Sequence, residues 1–180
     1  MVLKLLIEIV KLLLLERFYK METSRLIIDE LREDDAYDYY YNISHDKKVL
    51  ETFICEYCDS FDSFDIKRYL NKNIYAIRLK STNKLIGIIL YFGEKDGECE
   101  VGYGIGSNYW NQGFASEALK IFISNLFSQG FKTIYASFFE GNLQSKRVME
   151  KNGMIFHHFS KNELIYQNKS RNLVYYYITK

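Results

Sequence analysis

Proline is missing from all 180 residues. Without it the chain has no proline-rich linker, no polyproline segment and no proline-forced helix break. Glycine and serine do not gather into a linker either, so nothing after residue 22 marks a domain boundary. Cysteine is nearly absent. Three thiols, an odd number, exclude a disulfide framework and suit a reducing, cytoplasmic setting. Cys55 and Cys58 form a C-x-x-C, but a structural zinc needs four ligands and no second close pair exists. His157 and His158 are neighbours in a strand-like run and would point to opposite faces, so no metal is expected.

Net charge is lacking too. With 24 basic and 23 acidic residues the balance is +1, so no overall field draws the chain to nucleic acid or an anionic membrane. Residues 1–20 come nearest to a long apolar run, but Lys4, Glu8 and Lys11 interrupt the about 20 apolar residues a membrane span needs. The stretch also lacks the charged start and small-residue cleavage site of a secretory signal. Its three charges fall on one stripe, which predicts an amphipathic helix over 1–20 ahead of a domain over 22–180. Such a helix would pack on the domain or on a partner subunit, a homodimer included, and no membrane contact is expected. Two phosphate fingerprints are missing as well. No G-x-x-x-x-G-K-[ST] occurs, and Ser107 and Tyr109 stand where a G-x-G-x-x-G loop needs its third glycine.

What remains is a chain rich enough in apolar residues, 48%, to bury one full core. A strand is expected over 25–31, then a helix opening near Asp34 or Asp35 through the tyrosine run. A second helical pattern covers 60–72. A hairpin over 73–80 and 85–92 follows, and the turn at 95–97 leads into a strand over 98–105. A helix over 112–128 places Ala115, Ala118, Leu119, Phe122 and Leu126 on one face, and Gly130 ends it. A strand over 131–138, a helix over 143–152 and strands over 154–160 and 173–179 complete the pass. Strands outnumber helices and come first as a meander, which gives an α+β fold with a mixed, mainly antiparallel sheet.

The segment from Glu98 to Leu119 carries the chemistry. E-C-E-V-G-Y-G-I is strand-like, and Y-W-N-Q-G-F-A-S-E-A-L turns from it into an amphipathic helix. The first N–H groups of such a helix have no intrahelical partner and, with the positive dipole end, suit a pyrophosphate. Gly113 and Ala115 are small enough to let phosphates near the backbone. A plain chain reversal after a glycine would read the same way. Gly102 and Gly104 lie inside a strand, where glycine marks a bulge or a close approach.

Two further runs stand in register with this one: N-L-Q-S-K-R-V-M-E-K-N-G-M from Asn142 and M-E-T-S-R-L-I-I from Met21. Together the three resemble the GNAT superfamily of acyl-CoA-dependent N-acyltransferases, in particular its ribosomal-protein N-terminal acetyltransferase branch. The likeness covers about 22–180. It implies six to seven strands flanked by helices on both faces. It further implies an N-acetyltransferase that moves an acetyl group from the cosubstrate acetyl-CoA directly to a primary amine, on a peptide N-terminus or a small molecule. Two strands would part so that the backbone of Tyr103, Gly104 and Ile105 pairs with the pantetheine arm. Gln112, Gly113, Phe114, Ala115 and Ser116 would hold the pyrophosphate.

By the same resemblance Glu100 is the candidate base that frees the amine's lone pair, with Glu98 on the same face of the strand. The family's proton donor is often a tyrosine where this chain has Met149, which cannot donate, so Ser145 becomes the candidate acid. Asn142 would bond the cofactor arm or cap the helix that follows it. Tyr39 and Tyr40 fall in the region that lines the family's acceptor cleft, or else fill the core. The run 161–172 reads as a polar loop of mixed charge, which favours a peptide N-terminus or small amine over a polyamine. A silent acyl-CoA-binding sensor or interaction module is the alternative.

Overall fold

The computed structural model describes residues 20–180. The helix expected over 1–20 lies outside them, except for Lys20, which opens a strand. Eight strands form one sheet in the order β1-β2-β3-β4-β5-β6-β8-β7. They are β1 (Lys20–Glu22), β2 (Leu26–Glu30), β3 (Ile74–Leu79), β4 (Leu85–Lys95), β5 (Glu98–Ile105), β6 (Thr133–Phe139), β7 (Ile155–Tyr166) and β8 (Lys169–Thr179). All neighbours run antiparallel except β5 and β6. A parallel pair needs a crossover, and α3 (Phe114–Ser128) supplies it. The other helices are α1 (Ala36–Tyr39), which runs on into a π turn (Tyr40–Ser44), α2 (Lys47–Leu50) and α4 (Leu143–Lys151).

Both faces of the sheet are covered, and the strand sequences dictate it. The run L-I-G-I-I at the start of β4 is buried throughout, as a central strand between two layers must be. Ile77, Ile89 and Val101 face Ala118, Leu119, Phe122 and Leu126 of α3. Their neighbours Ala76 and Ile88 face the opposite way, onto Tyr39, Ile43 and Val49. Burying one ring such as Phe122 contributes about 2 kcal/mol. Under the second layer, Arg78 bonds Asp29 (2.7 Å) and Asp35 (2.7 Å), tying β2, β3 and the turn Glu33–Asp35 together.

Three expectations change. β1 is an eighth strand beyond the seven read from the pattern, because three residues pairing with β2 are too few to show a period. Residues 60–72 hold two single 3₁₀ turns, Phe61–Ser63 and Ile66–Arg68, instead of a helix. Local side chains restart the chain there: the Ser63 hydroxyl donates to the Ser60 carbonyl at 2.9 Å, and Asp65 accepts from the Lys67 N–H at 3.0 Å. Residues 161–172 are the end of a long β7–β8 hairpin, closed by Gln167 and Asn168 with φ of 52° and 57°. Its side chains are mostly exposed and its register slips between Ser160 and Leu164, so no apolar alternation marks it.

Candidate active site

β5 pairs with β4 as far as Ile105 but with β6 only as far as Val101. β6 runs on to Phe139 in register with β8, so the two strands part beyond the Val101–Ala136 pair. Beside the freed end of β5 opens a groove of about 280 Å³, walled by β5, the start of α3 and α4. The Gly106 N–H donates to the Ile86 carbonyl at 2.9 Å. Alternation along an antiparallel pair then turns the backbone of Gly102 and Gly104 to β4, and that of Tyr103 and Ile105 to the open side. Of the three residues expected to offer backbone groups, Gly104 therefore faces away from the gap. The Ile105 carbonyl is already bonded, by the Trp110 indole N–H at 2.6 Å. The Tyr103 groups and the Ile105 N–H are left.

Gly102 and Gly104 do not mark a bulge, since the register against β4 is unbroken from Gly87 to Phe92. They make room for the ring of Phe53, which lies against both.

At the mouth of the groove α3 begins. Gly113, at φ 82°, is its N-cap and carries no side chain to satisfy the first-turn N–H groups of Phe114, Ala115 and Ser116. Asn111, two residues earlier, also has positive φ, 62°. The loop is held from behind. Arg25 Nη1 donates to the Gln112 carbonyl at 2.9 Å and Nε to Glu117 at 2.7 Å, while the guanidinium lies 4.4 Å over the Phe114 ring. Thr23 bonds the same glutamate. Gln112 itself points away: its amide donates to the Asn108 carbonyl at 3.4 Å, and it does not line the groove.

The facing wall is α4. Asn142 caps it, its Oδ1 accepting from the Ser145 N–H at 3.1 Å, while its Nδ2 lies 3.5 Å from the Thr52 carbonyl. Ser145 Oγ stands 3.0 Å from the hydroxyl of Tyr103. Burial pushes the Tyr103 phenol well above its ordinary range, only partly offset by the bond to Ser145. Arg147 and Lys151 line the same wall and add positive charge. Met149, 1% exposed, belongs to the core and not to the groove.

Glu100 lies on the other face of β5, at the apex of the parting. Its Oε1 accepts from the Ser137 hydroxyl at 2.6 Å, which bridges β5 to β6 just past their last pair. Burial raises its pKa above the usual carboxylate value; the Ser137 bond opposes that, and the charge of Glu163 adds to it. Glu163 comes from β7, in the run expected to be a polar loop of mixed charge near the acceptor. The Tyr175 hydroxyl, pushed up to about 12 by burial first and then by Glu100 and Glu163, stands in the same group.

Tyr39 and Tyr40 are not in the site. They are 1% and 3% exposed, and neither lines the groove. Tyr39 stacks on Phe64, and the Tyr40 hydroxyl bonds His45 at 2.9 Å. Helical rotation sends these two inward and leaves Tyr37 and Tyr41 outside.

Sequence reasoning missed Phe53, Trp110, Arg147 and Lys151, all of which line the groove, and Arg25 behind it. For Trp110 a signal existed: the single tryptophan of the chain sits in the turn that enters α3. Phe53 reaches the site only through tertiary structure. The Tyr166 hydroxyl at the hairpin tip lies 3.1 Å from the carbonyls of Phe53 and Cys55, and Gln167 donates to the Leu50 carbonyl at 3.3 Å.

A strand edge left open beside an uncapped helix N-terminus with basic side chains fits a phosphorylated, amide-bearing ligand. The family described as Acetyltransferase (GNAT) domain matches residues 25–155. The chain belongs to the GNAT family of acyl-CoA-dependent N-acetyltransferases. It is 33% identical over 142 residues to an uncharacterized N-acetyltransferase, YnaD, of Bacillus subtilis (strain 168), which covers 73% of this chain and 80% of that protein. Its fold matches a GNAT-family acetyltransferase from Bacillus anthracis with a TM-score of 0.79 at 24% identity, over 89% of this chain and 98% of the other. A ribosomal L7/L12 alpha-N-protein acetyltransferase solved in complex with coenzyme A matches with a TM-score of 0.73 at 12% identity, over 87% and 95%.

Being a GNAT enzyme, the chain takes an acyl-CoA cosubstrate and an amine acceptor. Among the described residues no helix is long and apolar enough to cross a membrane, and no three His, Cys, Asp or Glu side chains could together hold a metal ion.

Proposed function

We propose that the protein transfers an acetyl group from acetyl-CoA directly to the primary amine of a peptide N-terminus or a small molecule. The observation that carries the reading is the parting of β5 and β6 beside the uncapped start of α3. The N–H groups of Gly113 to Ser116 hold the pyrophosphate, and Arg147 and Lys151 add charge at the same mouth. The backbone of Tyr103 and the Ile105 N–H extend β5 to the amide-bearing arm, while the Asn142 amide meets it from α4.

The acceptor approaches from the Glu100 face. An ammonium cannot attack until it loses a proton, and Glu100 accepts it, directly or through a water. Its raised pKa brings it nearer to the amine's own range, so the transfer is less uphill than with an ordinary carboxylate. The nitrogen then bonds the carbonyl carbon, the carbon–sulfur bond breaks, and the second proton the nitrogen sheds passes to water. Ser145 donates a hydrogen bond to the departing sulfur. An alcohol does not give its proton outright to a thiolate, which is much the weaker base, so water supplies that proton later.

The test is thiol release from acetyl-CoA over a panel of N-terminal peptides, polyamines, amino acids and aminoglycosides, with Glu100→Gln beside the native chain. Release with one acceptor class, lost in the variant while acetyl-CoA still binds, is the expected result. Binding without release for any acceptor would favour a silent acyl-CoA-binding module.

A further inference from the structure

We propose that Tyr103 is a positioning residue whose hydroxyl sets the direction of the Ser145 hydroxyl proton, turning Ser145 into a donor towards the groove. The inference rests on Ser145 being the donor to the departing sulfur. Three distances carry it. The Tyr103 oxygen stands 3.0 Å from Ser145 Oγ and 3.2 Å from the Ser145 carbonyl oxygen. The Ser145 backbone is itself fixed, its N–H held by Asn142 at 3.1 Å.

A tyrosine hydroxyl has one proton, so the pair has two arrangements. In the first, Tyr103 donates to the Ser145 carbonyl and accepts from Oγ–H, which aims the serine proton away from the groove. In the second, Tyr103 donates to Oγ, and the serine proton is free to point into the groove that both side chains line. Leaving the carbonyl costs little. Ser145 lies inside α4, where its carbonyl also accepts the N–H four residues on. No bond to hydrogen breaks in the exchange; two hydroxyls rotate.

Burial keeps Tyr103 protonated through the neutral range, so it acts as a donor and never as a base. The arrangement also accounts for Met149. Met149, where the family often has a tyrosine, is a core residue, and a phenol reaches Ser145 from the strand opposite instead.

The experiment needs no acceptor. Coenzyme A is bound to the protein and its thiol titrated by thiolate absorbance, against a blank of protein with desulfo-coenzyme A. Quenching of the single tryptophan, Trp110, which lines the groove, reports binding independently. In the native protein the bound thiol should titrate below the free thiol by about one pH unit, the scale of one hydrogen bond to a charged group. Ser145→Ala and Tyr103→Phe should each abolish that difference, and the double variant should do no more. Tyr103→Phe keeps the ring and the strand backbone, so quenching at a pH where the thiol is protonated should stay within about twofold of the native affinity.

Native-like titration in Tyr103→Phe, with Ser145→Ala shifted, would overturn the proposal and leave Ser145 acting alone. Separate shifts that add in the double variant would overturn it too. A bound thiol in Ser145→Ala that still titrates as in the native protein would remove the donor reading beneath it, and absent quenching would remove the cosubstrate site; either takes the proposal with it.

Discussion

Gly104 leaves the space that Phe53 fills: a Cβ at residue 104 would stand 3.0 Å from the ring. Gly104→Ala should therefore lower stability by about 1–3 kcal/mol, the usual cost of overpacking. Because the displaced ring lines the groove, cosubstrate affinity should fall as well. Thermal melts check the first effect and Trp110 quenching the second. Gly104→Ala with Phe53→Leu should recover most of the lost stability; a double variant no better than the single would put the strain elsewhere.

Glu100 gives a pH prediction. Its folded pKa is raised, so its contribution to stability is full below the unfolded pKa and is lost as pH rises through the folded value. Glu100→Gln does not suffer that loss. Melts from about pH 4 to about pH 8 should show the variant gaining on the native protein as pH rises. Turnover should fall on the order of a hundredfold. In the native enzyme the acid limb of kcat/KM should lie above the ordinary carboxylate range.

Arg25 is exposed, so its ion pair with Glu117 contributes less than about 1 kcal/mol of stability. Its bond to the Gln112 carbonyl matters more, because it fixes the loop that opens α3. Arg25→Ala should raise the KM for the acyl-CoA several-fold while the melting temperature barely moves. Arg25→Lys should not restore it, since one ammonium cannot span both partners as the fork does. A native KM in both variants would release Arg25 from this role.

The thiols should differ sharply. Burial pushes both Cys55 and Cys99 up to about 12, so neither offers much thiolate near neutrality. A thiol reagent should label Cys58 alone in the native protein and all three cysteines once it is unfolded. Cys58→Ser should take native labelling to zero. Fast labelling of Cys55 would mean that the loop held by Tyr166 opens.

The readable parts of the site were local ones. Gly113, Asn142 and Ser145 act within a few residues of their own positions, as a cap, a cap and a first-turn side chain, and short motifs carry that information. Tyr39 and Tyr40 misled because adjacent tyrosines on a short helix give no period by which to tell inside from outside. Phe53, Glu163 and Tyr166 were illegible for another reason. Each matters through a partner far along the chain, Phe53 through Gly104 and Tyr166 through Phe53. The hairpin of Glu163 and Tyr166 also carries mostly exposed residues in its outer half, which look like loop. The sheet was legible where alternation and burial coincide, in β3 to β6, and obscure at its edges, β1 and the outer half of β7.

β8 follows β7 in the chain, yet it lies between β6 and β7. During synthesis β7 leaves the ribosome with no strand to join, because its one neighbour has still to be translated. Through that interval the β7 backbone has no ladder partner, and the tip carrying Tyr166 has no second strand to hold it towards Phe53. Tyr166 is thus set over Phe53 only once β8 lies alongside β6 and β7. A nascent chain stalled before β8 would hold every residue of the cosubstrate wall and still lack the clasp over Phe53.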